Sequence, residues 1–128
     1  MTNKTVCLGS EWYRFPSHFF VPKDTRISFI KSDFNGLLPQ YFRDGLDATS
    51  IIPSGFNDEN KSNGKYEDLK SCDYLIGMEN VDRDWEPVTG TCRKFLDSGN
   101  SGVWRLFYVP FTETYKVYRD YCLYKRVY

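Results

Sequence analysis

Four widely spaced cysteines are the feature that most limits how this chain can fold. Cys7, Cys72, Cys92 and Cys122 are spread over almost the whole sequence, and no C-x-x-C pair occurs among them. Zinc sites usually take their ligands from such close pairs, so the spacing disfavours zinc and we expect no metal site. Two disulfides could form in any of three connectivities, and they would persist only in an oxidising compartment. Four reduced, buried thiols are the alternative.

Two N-glycosylation sequons point in the same direction as the cysteines. Asn3-Lys4-Thr5 and Asn60-Lys61-Ser62 both lie in polar stretches that could tolerate a glycan. Together with the cysteines they favour a lumenal or extracellular setting. The first residues have no apolar signal-peptide region, and no run approaches the roughly 20 apolar residues of a membrane span. We therefore expect a piece of a larger membrane protein that is delivered by a segment upstream.

Length and composition indicate one β-rich domain over residues 1–128. A chain of 128 residues suits a single core. The 17 basic and 17 acidic residues give zero net charge, which argues against nucleic acid and against an electrostatic membrane anchor. Aromatic residues make up 18% of the chain, and alanine is almost missing. That balance favours strands over helices, with the rings either filling a core or stacking on sugar.

The hydrophobic pattern predicts a mainly β fold, either a single antiparallel sheet or a sandwich-like domain, with little helix. Four segments are typical of strands: 26–31, 72–78, 103–109 and 115–124. The last two strands are expected to form a hairpin through residues 111–114. Residues 39–43 and 92–96 are predicted as a short helix and a helical turn, and residues 53–65 as loop.

No arrangement of residues typical of catalysis is apparent in the sequence. His18 is the only histidine, and no nucleophile elbow, P-loop or dinucleotide fingerprint occurs. Asp44 and Asp47 could pair for acid/base work, as any two surface acids could. The alternating acids of residues 80–86 lack the glycine and the closing glutamate of a calcium loop. We predict no catalytic residue and no cofactor for this chain.

Several short motifs of this sequence, taken in order, resemble those of a known protein family. Residues 7–22 read CLGSEWYRFPSHFFVP, of which the segment from Glu11 to Pro16 is the most specific. This run resembles the segment that follows the last membrane helix of the eukaryotic alpha-1,2-mannosyltransferases of dolichol-linked oligosaccharide assembly, the asparagine-linked glycosylation protein 9 type. The similarity extends in order over nearly the whole chain, through residues 34–39, 57–60, 72–75, 95–97 and 107–111.

The resemblance implies the C-terminal lumenal domain of a multi-span glycosyltransferase of the endoplasmic reticulum. Such an enzyme transfers mannose from dolichyl phosphate mannose to a lipid-linked oligosaccharide in N-glycosylation. The family's proposed catalytic carboxylates lie in an early lumenal loop, so this chain alone is expected to be inactive. Its expected partner is the membrane-embedded part of the same enzyme. The resemblance also implies a Cys7–Cys72 bridge with Cα atoms under about 7 Å apart, with Cys92–Cys122 possible as a second bridge.

Three roles for such a domain follow, and the sequence leaves them open. The domain could cap the lumenal face or position the acceptor, with Trp12 and Tyr13 at the membrane interface and Arg14 on lipid or pyrophosphate oxygens. It could bind glycan independently, using Trp12, Tyr13, Trp85 or Trp104 as stacking platforms. It could also be purely structural, with Trp12 and Phe15 in the core and Arg14 paired with Glu11.

Overall fold

A computed structural model describes residues 3–10, 12, 17–32, 36–62, 64–78, 82–97 and 99–127. The strands are β1 (Lys4–Leu8), β2 (Thr25–Phe29), β3 (Tyr74–Gly77), β4 (Trp85–Pro87), β5 (Arg93–Leu96) and β6 (Tyr118–Arg126). One short α-helix, α1 (Gly102–Leu106), precedes β6. Single 3-10 turns occupy Ser17–Phe20, Ala48–Ser50, Leu69–Ser71 and Glu113–Tyr115.

The six strands form one mixed sheet. Five of them follow the order β2-β1-β3-β6-β4, and β5 pairs with the first half of β6. β1 runs parallel to both β2 and β3, whereas β6 is antiparallel to β3, β4 and β5. The mainly β class with little helix is confirmed. The sheet is not wholly antiparallel, because β1 reaches β2 and β3 through long connections and not through hairpin turns.

β1 is buried on both faces, and it divides the core into two clusters. Successive side chains of a strand point to opposite faces. Cys7 accordingly packs in one cluster with Leu75 and Trp85. Leu8 packs in the other with Ile27 and Phe29. A strand covered on both sides needs apolar residues at consecutive positions, which explains the run from Val6 to Leu8.

Asp73 fastens β1 to the start of β3. Its carboxylate accepts a hydrogen bond from the Thr5 backbone nitrogen at 2.8 Å and pairs with the Lys4 ammonium at 3.1 Å. The Asp73 backbone nitrogen donates to the Thr5 carbonyl at 2.9 Å. One residue therefore satisfies both a backbone donor and a backbone acceptor of β1, and helps to fix the parallel register.

Both disulfides lie within this sheet. Cys7 of β1 is bonded to Cys72, which immediately precedes β3, and their Cα atoms are 5.8 Å apart. Cys92, just before β5, is bonded to Cys122 of β6. The first is the pairing that the family resemblance implies, the second is the one that was left possible, and none of the four cysteines is free. Closing loops of 65 and 30 residues stabilises a fold by roughly 4 kcal/mol each in the chain-entropy view.

The predicted strands at 26–31, 72–78 and 115–124 correspond to β2, β3 and β6, although β6 begins only at Tyr118, after the 3-10 turn Glu113–Tyr115. Residues 53–65 are loop where they are described, organised by the Asn57 side chain, which accepts from the Glu59 and Lys61 backbone nitrogens. Asn57 also donates to the Lys61 carbonyl at 2.8 Å. This pattern is an Asx-type turn in which one side chain replaces the missing backbone partners.

Four local predictions are wrong. Residues 103–109 are not a strand, since α1 occupies the first part, and no hairpin through 111–114 forms. Residues 92–96 are not a helical turn but enter β5, because β6 takes β5 as its antiparallel partner, with the Cys92–Cys122 bridge beside the pair. The short helix predicted at 39–43 is also missing. There the Tyr41 hydroxyl accepts from the Ile27 nitrogen and donates to the Ile27 carbonyl, so that Tyr41 covers the open edge of β2.

Candidate interaction surface

Trp12 lies against the core, whereas its two neighbours fall outside the described residues. Its half-buried indole meets the Phe29 ring edge-on, with centroids 5.5 Å apart. Another side of the ring lines a shallow apolar pocket with Leu38 and Phe56. Glu11, Tyr13, Arg14 and Phe15 lie outside the described part of the chain. The geometry therefore gives Trp12 a packing role, and the predicted roles of Tyr13 and Arg14 remain predictions.

The remaining tryptophans differ in how far a ligand could reach them. Trp85 is buried in the core cluster, and the Arg126 guanidinium covers its ring at 5.0 Å from the centroid. Arg126 also donates to the carbonyls of Leu69 and Lys70, so it closes this edge of the sheet. Trp85 is thus a covered core residue in this fold. Trp104 is half-buried and stacks on Tyr115, with centroids 5.9 Å apart.

The two sequons occupy different environments. Asn3 is exposed immediately before β1. Asn60 is also exposed, with a φ of 54°, a conformation that asparagine tolerates better than most residues. Ser62, the hydroxyl residue of the second sequon, is only 4% exposed. Its hydroxyl accepts from the Leu38 nitrogen at 2.8 Å and donates to the Gly36 carbonyl at 2.7 Å.

The largest concentration of exposed apolar side chains lies between β5 and β6. We call residues 99–117 the β5–β6 excursion. Of the eighteen large hydrophobic side chains that are exposed in the described part of the chain, nine fall between residues 103 and 118, including Leu106, Phe107, Tyr108 and Phe111. Phe111 is 99% exposed. Neither α1 nor the 3-10 turn Glu113–Tyr115 buries a residue.

This excursion encloses a charged side chain. The Lys116 side chain is only 5% exposed, and its ammonium lies 3.3 Å from a Glu113 carboxylate oxygen. The same ammonium sits 4.9 Å from the centre of the Tyr108 ring. The other Glu113 oxygen accepts a hydrogen bond from the Tyr118 hydroxyl at 2.7 Å. A lysine, a carboxylate and a phenol thus hold the excursion together, while its aliphatic and aromatic side chains face outward.

This network shifts the pKa of two groups in opposite directions. Hydrogen bonds from Tyr118 and Lys116 hold the pKa of Glu113 below its ordinary value. The hydrogen bond to Glu113 raises the pKa of Tyr118 above its ordinary value. The contribution of Glu113 is therefore present above the pKa of a free carboxyl and lost as pH falls through the lowered value. The contribution of Tyr118 is present below the pKa of a free phenol and lost as pH rises through the raised value.

A separate set of bonds closes the base of the excursion. The Asn100 amide donates to the Asp97 and Val117 carbonyls at 2.7 and 2.8 Å, and its oxygen accepts from the Val117 nitrogen at 2.8 Å. Asp97 in turn accepts from the Arg119 guanidinium at 2.7 Å. These contacts join the end of β5 to the start of β6, so the excursion leaves the sheet from a fixed base.

The sequence pattern does not reveal this surface, because it predicts a strand over residues 103–109. An apolar run of that length is normally buried, and the sequence pattern alone cannot tell a strand in a core from apolar side chains presented to a partner. The one sequence signal for this excursion is Asn100, which follows Gly99. An asparagine at such a position is typical of a turn that is closed by side-chain hydrogen bonds.

Among the described residues there is no cluster of side chains suited to bind a metal ion and no membrane-spanning helix. No set of three or more His, Cys, Asp or Glu side chains is placed to bind a metal ion within that part of the chain. None of the helices in the described ranges is long and apolar enough to cross a bilayer.

Comparison with known proteins gives the chain a clear set of relatives. It is 38% identical to the alpha-1,2-mannosyltransferase ALG9 of Homo sapiens over 94% of this chain. The corresponding protein of Drosophila melanogaster is 35% identical over 94% of the chain, and that of Saccharomyces cerevisiae 36% identical over 82%. The chain is homologous to a segment of the ALG9 alpha-1,2-mannosyltransferases. It spans only 22% of the length of each of these three relatives.

Two other comparisons give no match. No family model matches the chain. No solved structure matches it at a significant level. The relationship to ALG9 therefore rests on sequence similarity.

Replacing Glu113 with glutamine should lower the pKa of the Tyr118 hydroxyl towards its ordinary value. The Glu113→Gln variant replaces the carboxylate that accepts the Tyr118 hydrogen bond with a neutral, weaker acceptor, and it also removes the negative charge. Since this hydrogen bond and then the charge raise the pKa of Tyr118, we expect Tyr118 to titrate at lower pH than in the unaltered chain. The measurement is an NMR titration of the tyrosine ring protons, with Glu86→Gln, an exposed change in β4, as the control. An unchanged Tyr118 titration in Glu113→Gln would contradict the network.

Proposed function

We propose that this chain is the non-catalytic lumenal domain of an endoplasmic-reticulum alpha-1,2-mannosyltransferase. The parent enzyme would transfer mannose from dolichyl phosphate mannose to a lipid-linked oligosaccharide during N-glycosylation. The observation that carries the proposal is the 38% identity to human ALG9 over 94% of this chain, since the name of that relative states the mannosyl transfer. The catalytic groups are assigned to the remaining length of the parent, because the chain spans only 22% of the relative.

The disulfides and the sequons support a lumenal position. Two disulfides within one small sheet suit an oxidising compartment such as the lumen of the endoplasmic reticulum. Both sequon asparagines, Asn3 and Asn60, are exposed, as glycan acceptors must be. On the cytosolic side, glutathione would keep these cysteines reduced and no N-glycan would be added.

The proposed work of the domain is to cap the lumenal face of the parent enzyme or to help position the acceptor. An independent glycan-binding role has less support. Such a role would use exposed aromatic platforms, whereas Trp85 is covered by Arg126 and Trp12 packs on Phe29. Trp104 has Tyr115 on one face. The exposed rings of the β5–β6 excursion lie in the same segment as exposed aliphatic side chains such as Leu106 and Val109, which suits a protein partner better than a single sugar.

The division of labour between this chain and its parent predicts a simple activity pattern. The isolated 128-residue chain should transfer no mannose from dolichyl phosphate mannose, while membranes that contain the full-length enzyme should do so. The assay follows radiolabelled mannose into lipid-linked oligosaccharide, with boiled membranes as the blank. Mannose transfer by the purified chain above the level of that blank would contradict the non-catalytic assignment.

The segment around Arg14 gives a test of the positioning role. We propose that Arg14 pairs with pyrophosphate or lipid oxygens of the acceptor, because its planar guanidinium suits bidentate contact with such groups. In the full-length enzyme, Arg14→Ala should lower mannose transfer several-fold without lowering the amount of enzyme. Arg43→Ala, at an exposed position, is the matched control and should leave transfer unchanged. Equal transfer by both variants would count against a functional Arg14.

The buried hydroxyl of Ser62 predicts when Asn60 can be modified. A sequon is recognised through its hydroxyl residue, and Ser62 is enclosed once residues 36–62 have folded. We therefore expect the glycan on Asn60 to be added before this region closes. Asn60→Gln should remove one glycan and lower stability less than Ser62→Ala does, since a φ of 54° suits glutamine only somewhat less well than asparagine. Ser62→Ala should remove the same glycan and also cost about 1–3 kcal/mol, because two buried hydrogen bonds lose their partner.

Glycopeptide mass spectrometry on protein made in the secretory pathway measures occupancy at Asn60. Thermal denaturation after enzymatic deglycosylation measures the stability of the two variants. An unmodified Asn60 in that material, or equal stabilities for Asn60→Gln and Ser62→Ala, would contradict this account.

A further inference from the structure

The β5–β6 excursion has the distribution of side chains expected of a segment that meets another apolar surface. Eight large hydrophobic side chains of the excursion are exposed between residues 103 and 117, while Lys116 is enclosed. In a domain that faces only water the opposite arrangement is normal, and contiguous exposed apolar surface marks an interaction site. We propose that the excursion is the docking element through which this domain packs against the remaining part of its own polypeptide. The inference rests on the proposed function for the nature of that polypeptide.

The excursion is organised before any partner arrives. Asn100 and Asp97 close its base, Trp104 stacks on Tyr115, and Glu113 joins Lys116 to Tyr118. Each of these contacts lies within the excursion or at its junction with β6. A segment that is already ordered loses less conformational entropy on binding, so its apolar side chains contribute more of their burial to affinity.

The charge of the excursion favours a protein surface over an anionic lipid surface. Residues 99–117 contain only Arg105, Lys116 and Glu113 as charged groups, which gives two positive charges and one negative charge. Lys116 and Glu113 are paired with each other. Recognition of anionic lipid headgroups normally needs a cluster of four or more basic side chains. Arg105 alone does not supply that attraction.

We assign the surface that covers the excursion to the same polypeptide, because most of the length of the proposed parent enzyme lies outside this chain. Human ALG9 matches this chain over only 22% of its own length, so a parent of similar size has ample further surface. A partner joined covalently to the domain is present at a high effective concentration, so even a modest apolar contact would be populated. A separate protein would need a larger or tighter interface to achieve the same occupancy.

The test places a photo-crosslinking phenylalanine in the full-length enzyme in its native membrane. The probe, benzoyl-phenylalanine, replaces Phe111 in one protein and Phe107 in a second, so that one unstable variant does not decide the result. Leu46, which is 105% exposed, is the matched control at an equally accessible apolar position outside the excursion. After irradiation, adducts are mapped by mass spectrometry. We expect adducts from positions 107 and 111 on segments of the same polypeptide outside residues 1–128, at yields at least fivefold above those from position 46.

Three outcomes would overturn the proposal: adducts on lipid alone, adducts on a different polypeptide, or equal yields from the excursion and from position 46. Mannose transfer by the same membranes, measured before irradiation, separates this inference from the proposed function. Intramolecular adducts without mannose transfer would retain the docking element and remove the mannosyltransferase assignment. Normal mannose transfer without intramolecular adducts would retain the mannosyltransferase assignment and remove the docking element.

Discussion

The pairing of β6 is the constraint on which the rest of this structure depends. This nine-residue strand pairs with β3, β4 and β5, and Cys122 within it is bonded to Cys92. Through β3 it reaches β1, where the Cys7–Cys72 bridge and Asp73 hold the parallel half of the sheet. Arg126 at its end covers Trp85. Without β6, β4 and β5 would lose the strand they pair with, β3 would keep only β1, and the excursion before β6 would have no fixed base.

That base explains how a small domain can carry so much outward apolar surface. The hydrogen bonds of Asn100 and Asp97 hold the two ends of the excursion beside the sheet, and Glu113 joins the enclosed Lys116 to Tyr118 at the start of β6. Side chains such as Phe111 are then directed away from the domain. In the proposed function, this surface joins a lumenal domain without catalytic groups to the enzyme that it serves.

The sequence was informative where local pattern and tertiary structure agree. Residues 26–31 and 72–78 combine β-branched or aromatic residues with burial, and both segments are strands. The Cys7–Cys72 pairing came from the family resemblance, since four cysteines alone permit three connectivities. Residues 92–96 and 103–109 misled local reasoning for opposite reasons. The first became a strand because β6 offers it a partner, and the second remained unpaired with its side chains outward. Neither outcome can be predicted from a short stretch of sequence. The proposed roles of Tyr13 and Arg14 stay predictions, because both residues lie outside the described part of the chain.

Hydrogen exchange of backbone amides tests the central claim, that the β5–β6 excursion is covered by the rest of the polypeptide. The measurement compares residues 102–117 in the isolated chain and in the full-length enzyme, with β1 as an internal reference for a segment buried in both. The account predicts that exchange in the excursion slows at least tenfold in the full-length enzyme, while exchange in β1 is unchanged. Equal exchange rates for residues 102–117 in the two proteins would contradict it.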